Sequence, residues 1–208
     1  MITDDVAWLL VEACRHLQRP MRGLRVCELG NQESGWKLRV PVKHIMQWLG
    51  ADHTSIDLNG RDGSLKLDLS KPLPDFLLGR FDLVTNAGTT EHVVAANDYS
   101  DQWQAFCSIH GLAKPFAAII HVLPSEKGFH CGCGYVYTHQ FFLKLADMCH
   151  YGLVECYNSE SDKEHVATLM IKLAGSRFPS RDEFQSLTSE ILMTEAHPIR
   201  QDCALNPK

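Results

Sequence analysis

Leu24-Arg-Val-Cys-Glu-Leu-Gly30 is a short apolar run that closes on an acid and a glycine, and Asp57, closing Ser55-Ile-Asp57, stands 27 residues beyond Gly30. Both runs are apolar and bounded by turn formers, the signature of strands. Gly30 lets the backbone turn sharply and approach a ligand closely. An acid near the tip of each strand offers acceptors to hydroxyls and amines and repels phosphate. The pair therefore suits a nucleoside ligand better than a string of phosphates.

Outward from this pair, strands alternate with helices. Thr3-Asp-Asp5 starts a leading helix whose apolar residues Val6, Leu9, Leu10 and Ala13 recur at helical spacing before Pro20. Strands are expected at 24–29, 53–58, 64–68, 81–86 and 117–123, and helices at about 40–49, 98–113 and 138–149. Such alternation predicts an α/β fold, a mainly parallel, doubly wound sheet with helices on both faces. Further strands near 152–157 and 165–173 have only Asn158-Ser-Glu-Ser-Asp-Lys163 between them, too little for a helix, and so predict an antiparallel hairpin at the sheet edge. From Ser176 the chain turns polar, and Arg181 to Thr194 is expected to form one more helix that caps the fold or meets a partner subunit in a homodimer. The expected organisation is a single domain over 1–208, with a leading helix (1–20), a core (21–175) and a C-terminal extension (176–208).

Composition narrows the function classes. The chain has 208 residues, 45% hydrophobic and 22% charged, which is ordinary for a globular domain. Its net charge of −5 offers no general attraction to nucleic acid or to an anionic membrane, both of which need clustered Lys and Arg. The eight cysteines are scattered, several within apolar runs, and read as buried thiols in a reducing compartment. Without a basic leader or a long apolar run, a cytoplasmic location is expected.

Two phosphate-binding motifs fail on inspection. Gly30 and Gly35 have P-loop spacing, but Trp36-Lys37 stands where Lys and Ser or Thr are required. The dinucleotide fingerprint fails because position 32 is Gln, and Glu28 would repel a pyrophosphate.

Taken together, Val26-Cys-Glu-Leu-Gly30, Thr54-Ser-Ile-Asp57, Lys66-Leu-Asp-Leu69 and Phe81-Asp-Leu-Val-Thr-Asn86 resemble the class I S-adenosylmethionine-dependent methyltransferases, over about residues 20–175. The resemblance implies a Rossmann-like sheet of seven strands in the order 3-2-1-4-5-7-6 with strand 7 antiparallel. It implies S-adenosylmethionine as cofactor. Glu28, Gly30 and Asn31 would lie beside its methionine part, the Glu28 carboxylate favouring the ammonium group. Asp57 would accept from both ribose hydroxyls, with Leu58 beside it. Asp68 would accept from the adenine amino group, Leu69 would pack on the ring, and Asn86 would line the floor near the sulfonium. The usual second glycine of the first loop is missing here, replaced by Asn31 or Gln32.

Plainer structural roles compete at these positions. Glu28 could bond the next helix terminus, Asp57 and Asp68 could cap turns, and Thr89, Thr90 and Glu91 could cap a helix.

The loop Asn86-Ala-Gly-Thr-Thr-Glu-His-Val93 carries the substrate-side chemistry. It lacks the Asn/Asp-Pro-Pro-aromatic motif of nucleobase amino methyltransferases, which disfavours a DNA base as acceptor. His92 or Glu91 could serve a hydroxyl acceptor, an imidazole being a suitable base near neutrality. His130 is an equal candidate, in the glycine-rich stretch 129–135 expected to lie over the site mouth, and His121 is another. Tyr135 and Tyr137 are candidates for an acceptor pocket. His121, His130, Cys131, Cys133 and His139 cluster in sequence, but Cys-x-Cys is poor zinc spacing and no metal is expected. The chain thus reads as an enzyme methylating a small polar acceptor, at oxygen more readily than nitrogen. Its rivals are a scaffold that keeps the fold and a nicotinamide-dependent oxidoreductase.

Overall fold

The computed structural model describes residues 3–34, 39–94, 99–127, 133–159 and 164–194. Strands β1 (Arg25–Leu29), β2 (Asp52–Asp57), β3 (Leu65–Lys66), β4 (Phe81–Ala87) and β5 (Ala113–Pro124) run parallel. A short strand β6 (Tyr135–Tyr137) precedes β7 (Tyr151–Asn158) and β8 (His165–Lys172), which form an antiparallel hairpin. The main sheet has the order β3-β2-β1-β4-β5-β8-β7, with β8 antiparallel to β5. This is the expected path, its last two numbers raised by one because β6 lies outside the sheet.

Helices α1 (Asp4–Leu17) and α2 (Val42–Trp48) cover one face, and α3 (Ser100–Leu112) and α4 (His139–Cys149) cover the other. Alternation along the strands explains the division. Val26, Leu83, Ala118 and Ile120 join Val6, Leu9 and Leu10 of α1 in one core. Cys27, Val84 and Ile119 face the other way, onto Phe106 of α3 and Phe141 and Phe142 of α4. All seven residues of β4 are buried, as a central strand between two helical layers requires.

The expected long C-terminal helix is a correction. Helix α5 spans only Arg181–Gln185, opened by a capping box between Ser180 and Glu183. The chain then forms β9 (Ile191–Met193), which pairs antiparallel with β6. Phe184, Leu187 and Ile191 are each about 1% exposed and belong to the same core as Phe106 and Phe141. The extension therefore packs into the core, and among the described residues no long polar helix stands where the dimer contact was expected. No helix among the described residues is long and apolar enough to cross a membrane.

Candidate active site

Strand order reverses at β1, whose neighbours β2 and β4 lead the chain away in opposite directions. Ligands of open α/β sheets bind at such a switch point, outside the carboxyl ends of the strands. Here a cleft of about 330 Å³ opens there. Gly30 and Gln32 follow β1, Asp57 and Leu58 end and follow β2, Leu67 to Ser70 follow β3, and Gly88, Thr89 and His92 to Val94 follow β4.

The floor of the cleft is tightly drawn. Gly30 has φ of 81°, and a Cβ there would lie 2.5 Å from Gln32 Nε2 and 2.6 Å from Thr89 Oγ1. The Thr89 hydroxyl donates to the Leu29 carbonyl at 2.7 Å, tying the end of β4 to the end of β1. Asp57 accepts from the backbone N–H of Asn31 at 2.7 Å and of Asn59 at 2.8 Å, one on each carboxylate oxygen. Each oxygen keeps acceptor capacity for a ligand hydroxyl.

The loop after β4 rests on a buried polar network. Asn86 donates from Nδ2 to Thr90 Oγ1 at 2.9 Å and approaches His121 Nδ1 at 3.1 Å. An amide donor there makes Nδ1 the acceptor and leaves the proton of neutral His121 on Nε2. Burial pushes the His121 pKa down to about 3. Gln102 of α3 donates to the carbonyls of Thr90 and Val93, both at 2.9 Å, and accepts from the Tyr137 hydroxyl at 2.6 Å. Glu91 is 3% exposed, and burial pushes its carboxyl up to about 8. Its Oε1 lies 3.7 Å from Nε2 of His92, whose ring is half-exposed.

No protein-family model matches the chain, and no curated protein matches it by sequence. Solved structures do match. The 1,6-didemethyltoxoflavin-N1-methyltransferase of Burkholderia thailandensis, with S-adenosylhomocysteine bound, superposes with a TM-score of 0.56 at 16% identity, over 79% of this chain and 76% of its own. An S-adenosylmethionine-dependent methyltransferase of Mesorhizobium loti gives 0.55 at 14% identity, over 78% and 97%. The chain has the methyltransferase fold. The N-methyltransferase NodS of Bradyrhizobium japonicum WM9, also in complex with S-adenosylhomocysteine, gives 0.54 at 14% identity, over 80% and 84%.

On this methyltransferase fold the expected site residues divide into three groups. Gly30, Asp57, Leu58, Asp68, Leu69 and His92 line one cleft. Asp68 also makes the turn that was its plainer reading, its Oδ1 accepting from both the backbone N–H and the hydroxyl of Ser70. Burial opposes ionisation of Asp68, but the Ser70 bonds and Lys71 outweigh it and lower the pKa.

Glu28, Asn31, Asn86 and Glu91 form the second group, outside the cleft lining. Glu28 is buried with Oε2 3.0 Å from His53 Nε2, a short contact too poorly aligned to count as a hydrogen bond. Burial raises its carboxyl above the ordinary range, and the His53 contact and the Gln32 backbone N–H offset this only in part. The Asn31 side chain donates to Asp62. His130 forms the third group, outside the described residues.

Tyr135 and Tyr137 are fully buried and line no pocket wall of the cleft; their hydroxyls donate to Asp101 and Gln102. Sequence reasoning missed Gln32, Leu67, Thr89, Val93 and Val94 as lining residues, and Gln102 as the post beneath the loop. A polar pair, Asp101-Gln102, opening a helix that runs on through Ala105, Phe106, Ile109 and Leu112 was the available signal.

Proposed function

We propose that this chain is an S-adenosylmethionine-dependent methyltransferase acting on a small polar acceptor, with oxygen as the preferred atom. The observation that carries the reading is the meeting of Gly30 and Asp57 in one cleft at the switch point. The cleft volume falls in the roughly 300–1,000 Å³ range usual for small-molecule sites, and its chemistry fits a nucleoside. Asp57 accepts from the ribose hydroxyls with the capacity left beside its two backbone bonds. Ile56, Leu58, Leu67 and Leu69 offer an apolar bed to the adenine ring, and Asp68 accepts from its amino group. The bare Cα of Gly30 leaves room for the methionine part, and Glu28 supports that turn from below through the Gln32 N–H. Glu91 and Asn86 likewise act from below, holding His92 and Thr90.

S-adenosylmethionine supplies a methyl group already activated on its sulfonium. The residues contribute alignment and exclusion of water. His92, at the β4 side of the cleft, takes the proton of a hydroxyl acceptor. A nitrogen acceptor is the second reading, favoured by the two structural neighbours named as N-methyltransferases; amines that are neutral at working pH need no such base.

Calorimetry with S-adenosylmethionine and S-adenosylhomocysteine tests the cofactor. Binding on the order of micromolar, an ordinary strength for an enzyme ligand, is expected for the wild type, with more than tenfold loss in Asp57→Ala. Unchanged affinity in the variant would remove Asp57 from the ribose role. A folded protein that binds neither ligand would leave the scaffold reading.

A further inference from the structure

We infer that Glu91, His92 and Cys133 form a binding site for a zinc-type divalent ion on the β4 wall of the cleft. One donor atom from each of the three lies within 4.8 Å of the others. Sequence clustering pointed elsewhere, to His121, His130, Cys131, Cys133 and His139. Of these, His121 is engaged by Asn86 and His139 approaches the Cys156 carbonyl, while His130 and Cys131 lie outside the described residues. Only Cys133 carries over, joined by two residues from a different loop.

Three features favour an ion here. Glu91 is 3% exposed, yet its Oε2 has no hydrogen-bond partner among the described residues. A buried carboxylate oxygen without a partner is costly and calls for an explanation, of which a cation is one. The backbone holding the donors is also fixed in advance. The Gly134 N–H donates to the Glu91 carbonyl at 2.9 Å, and the Thr194 hydroxyl clamps the Cys133 carbonyl. Gln102 fastens the turn carrying Glu91 and His92 from below. Finally, Cys133 is buried, with its sulfur close to the carboxylate.

Donor chemistry selects the ion. Magnesium and calcium prefer six or more oxygens, whereas one oxygen, one imidazole nitrogen and one thiolate sulfur suit zinc. Zinc bonds of roughly 2.0–2.3 Å in a tetrahedron bring donors to about 3.3–3.7 Å of one another. The oxygen–nitrogen pair belongs at the short end of that range, and Glu91 Oε1 and His92 Nε2 stand 3.7 Å apart, so turning of the Glu91 carboxyl and the His92 ring, with a shift of Cys133, closes the set. Three protein ligands leave a fourth position, and His92 borders the cleft, so that position faces the acceptor side. In the loaded protein His92 is a ligand, and lowering the pKa of an acceptor hydroxyl passes to the ion. That consequence rests on the methyl-transfer reading; the binding site does not.

The test uses the full chain, stripped with a chelator and titrated with Zn²⁺, Co²⁺ or Mg²⁺. One equivalent of Zn²⁺ is expected, with no response to Mg²⁺, and Co²⁺ should show thiolate-to-metal charge transfer. Cys133→Ser should abolish that band and weaken Zn²⁺ binding more than tenfold, and the exposed His92→Ala should weaken it similarly without threatening the fold. Cys149→Ser, at the C-terminal end of α4, should bind as the wild type does. Failure of the folded wild type to bind Zn²⁺, or binding untouched by either His92→Ala or Cys133→Ser, overturns the site. Neither result depends on S-adenosylmethionine, so loss of this site and loss of the methyltransferase reading are distinguishable.

Discussion

At the residue scale, burial decides which acids and imidazoles remain available for chemistry. Asp57 and Asp68 sit at the cleft, where water and a ligand reach them, while Glu28 and His121 are sealed between sheet and helices. His121 gives a pH prediction. Its pKa falls from an ordinary value near 6.5 to about 3, because burial disfavours the charged ring. Between those values the unfolded chain binds a proton that the folded chain refuses, so stability is lost as pH falls through this window, by about 1.4 kcal/mol per pH unit. His121→Gln, which keeps an acceptor for Asn86, should flatten the profile between pH 6.5 and 4.5 in urea titrations; an unchanged slope would show that His121 is protonated in the fold. Gly30→Ala tests the other extreme, a site of strain. Its Cβ would collide with Gln32 and Thr89 at a left-handed φ, so the variant should lose stability by about 1–3 kcal/mol. Affinity for S-adenosylhomocysteine should fall more than tenfold, read by calorimetry on the folded fraction.

At the element scale, the alternation of strands and helices was legible because parallel strands buried on both faces leave apolar runs, as Ala117 to Ile120 does in β5. The edge hairpin was equally legible, since six polar residues cannot carry a helical crossover. The C-terminal segment was not. Arg181 to Thr194 has helix-forming composition, but Ile191 to Met193 meets the edge of Tyr135 to Tyr137 and pairs as a strand. Tertiary context overrode local propensity, as weak propensities permit. Two changes measure what single elements contribute, α5 through Phe184 and α3 through Gln102. Phe184, packed among Phe106, Phe141 and Phe178, should cost about 3–5 kcal/mol when cut to Ala, a typical loss for a buried phenylalanine. A loss below about 1 kcal/mol in denaturant titration would separate the extension from the core. Gln102→Leu should cost at least about 2 kcal/mol, because it strands the carbonyls of Thr90 and Val93. It should also weaken ligand binding, since Thr89 and His92 lose their footing.

For the whole molecule, one sheet with two cores holds four loops at one rim, and a ligand touching all four binds only the folded state. Linkage then requires stabilisation by about 2.7 kcal/mol at a hundredfold excess over Kd. For a chain of this length that is a rise in Tm of about 5–10 °C. S-adenosylhomocysteine should produce it, NADH should not, and the reverse outcome would return the oxidoreductase reading.

By itself the sequence determined the layered α/β alternation, the edge hairpin and the acids and glycine that end its strands, because strand periodicity, turn chemistry and short connections are local in the chain, whereas the order of the sheet was implied by the resemblance to a family. Which acids face the cleft was decided only in three dimensions. Glu28 and Asp57 look alike as strand-ending acids, yet one side chain turns toward His53 in the interior and the other into the open. The same holds for Glu91, His92 and Cys133, brought together by the β6–β9 ribbon and the Gln102 network across 43 residues of chain. Burial and long-range packing have no period, so only the folded chain displays them.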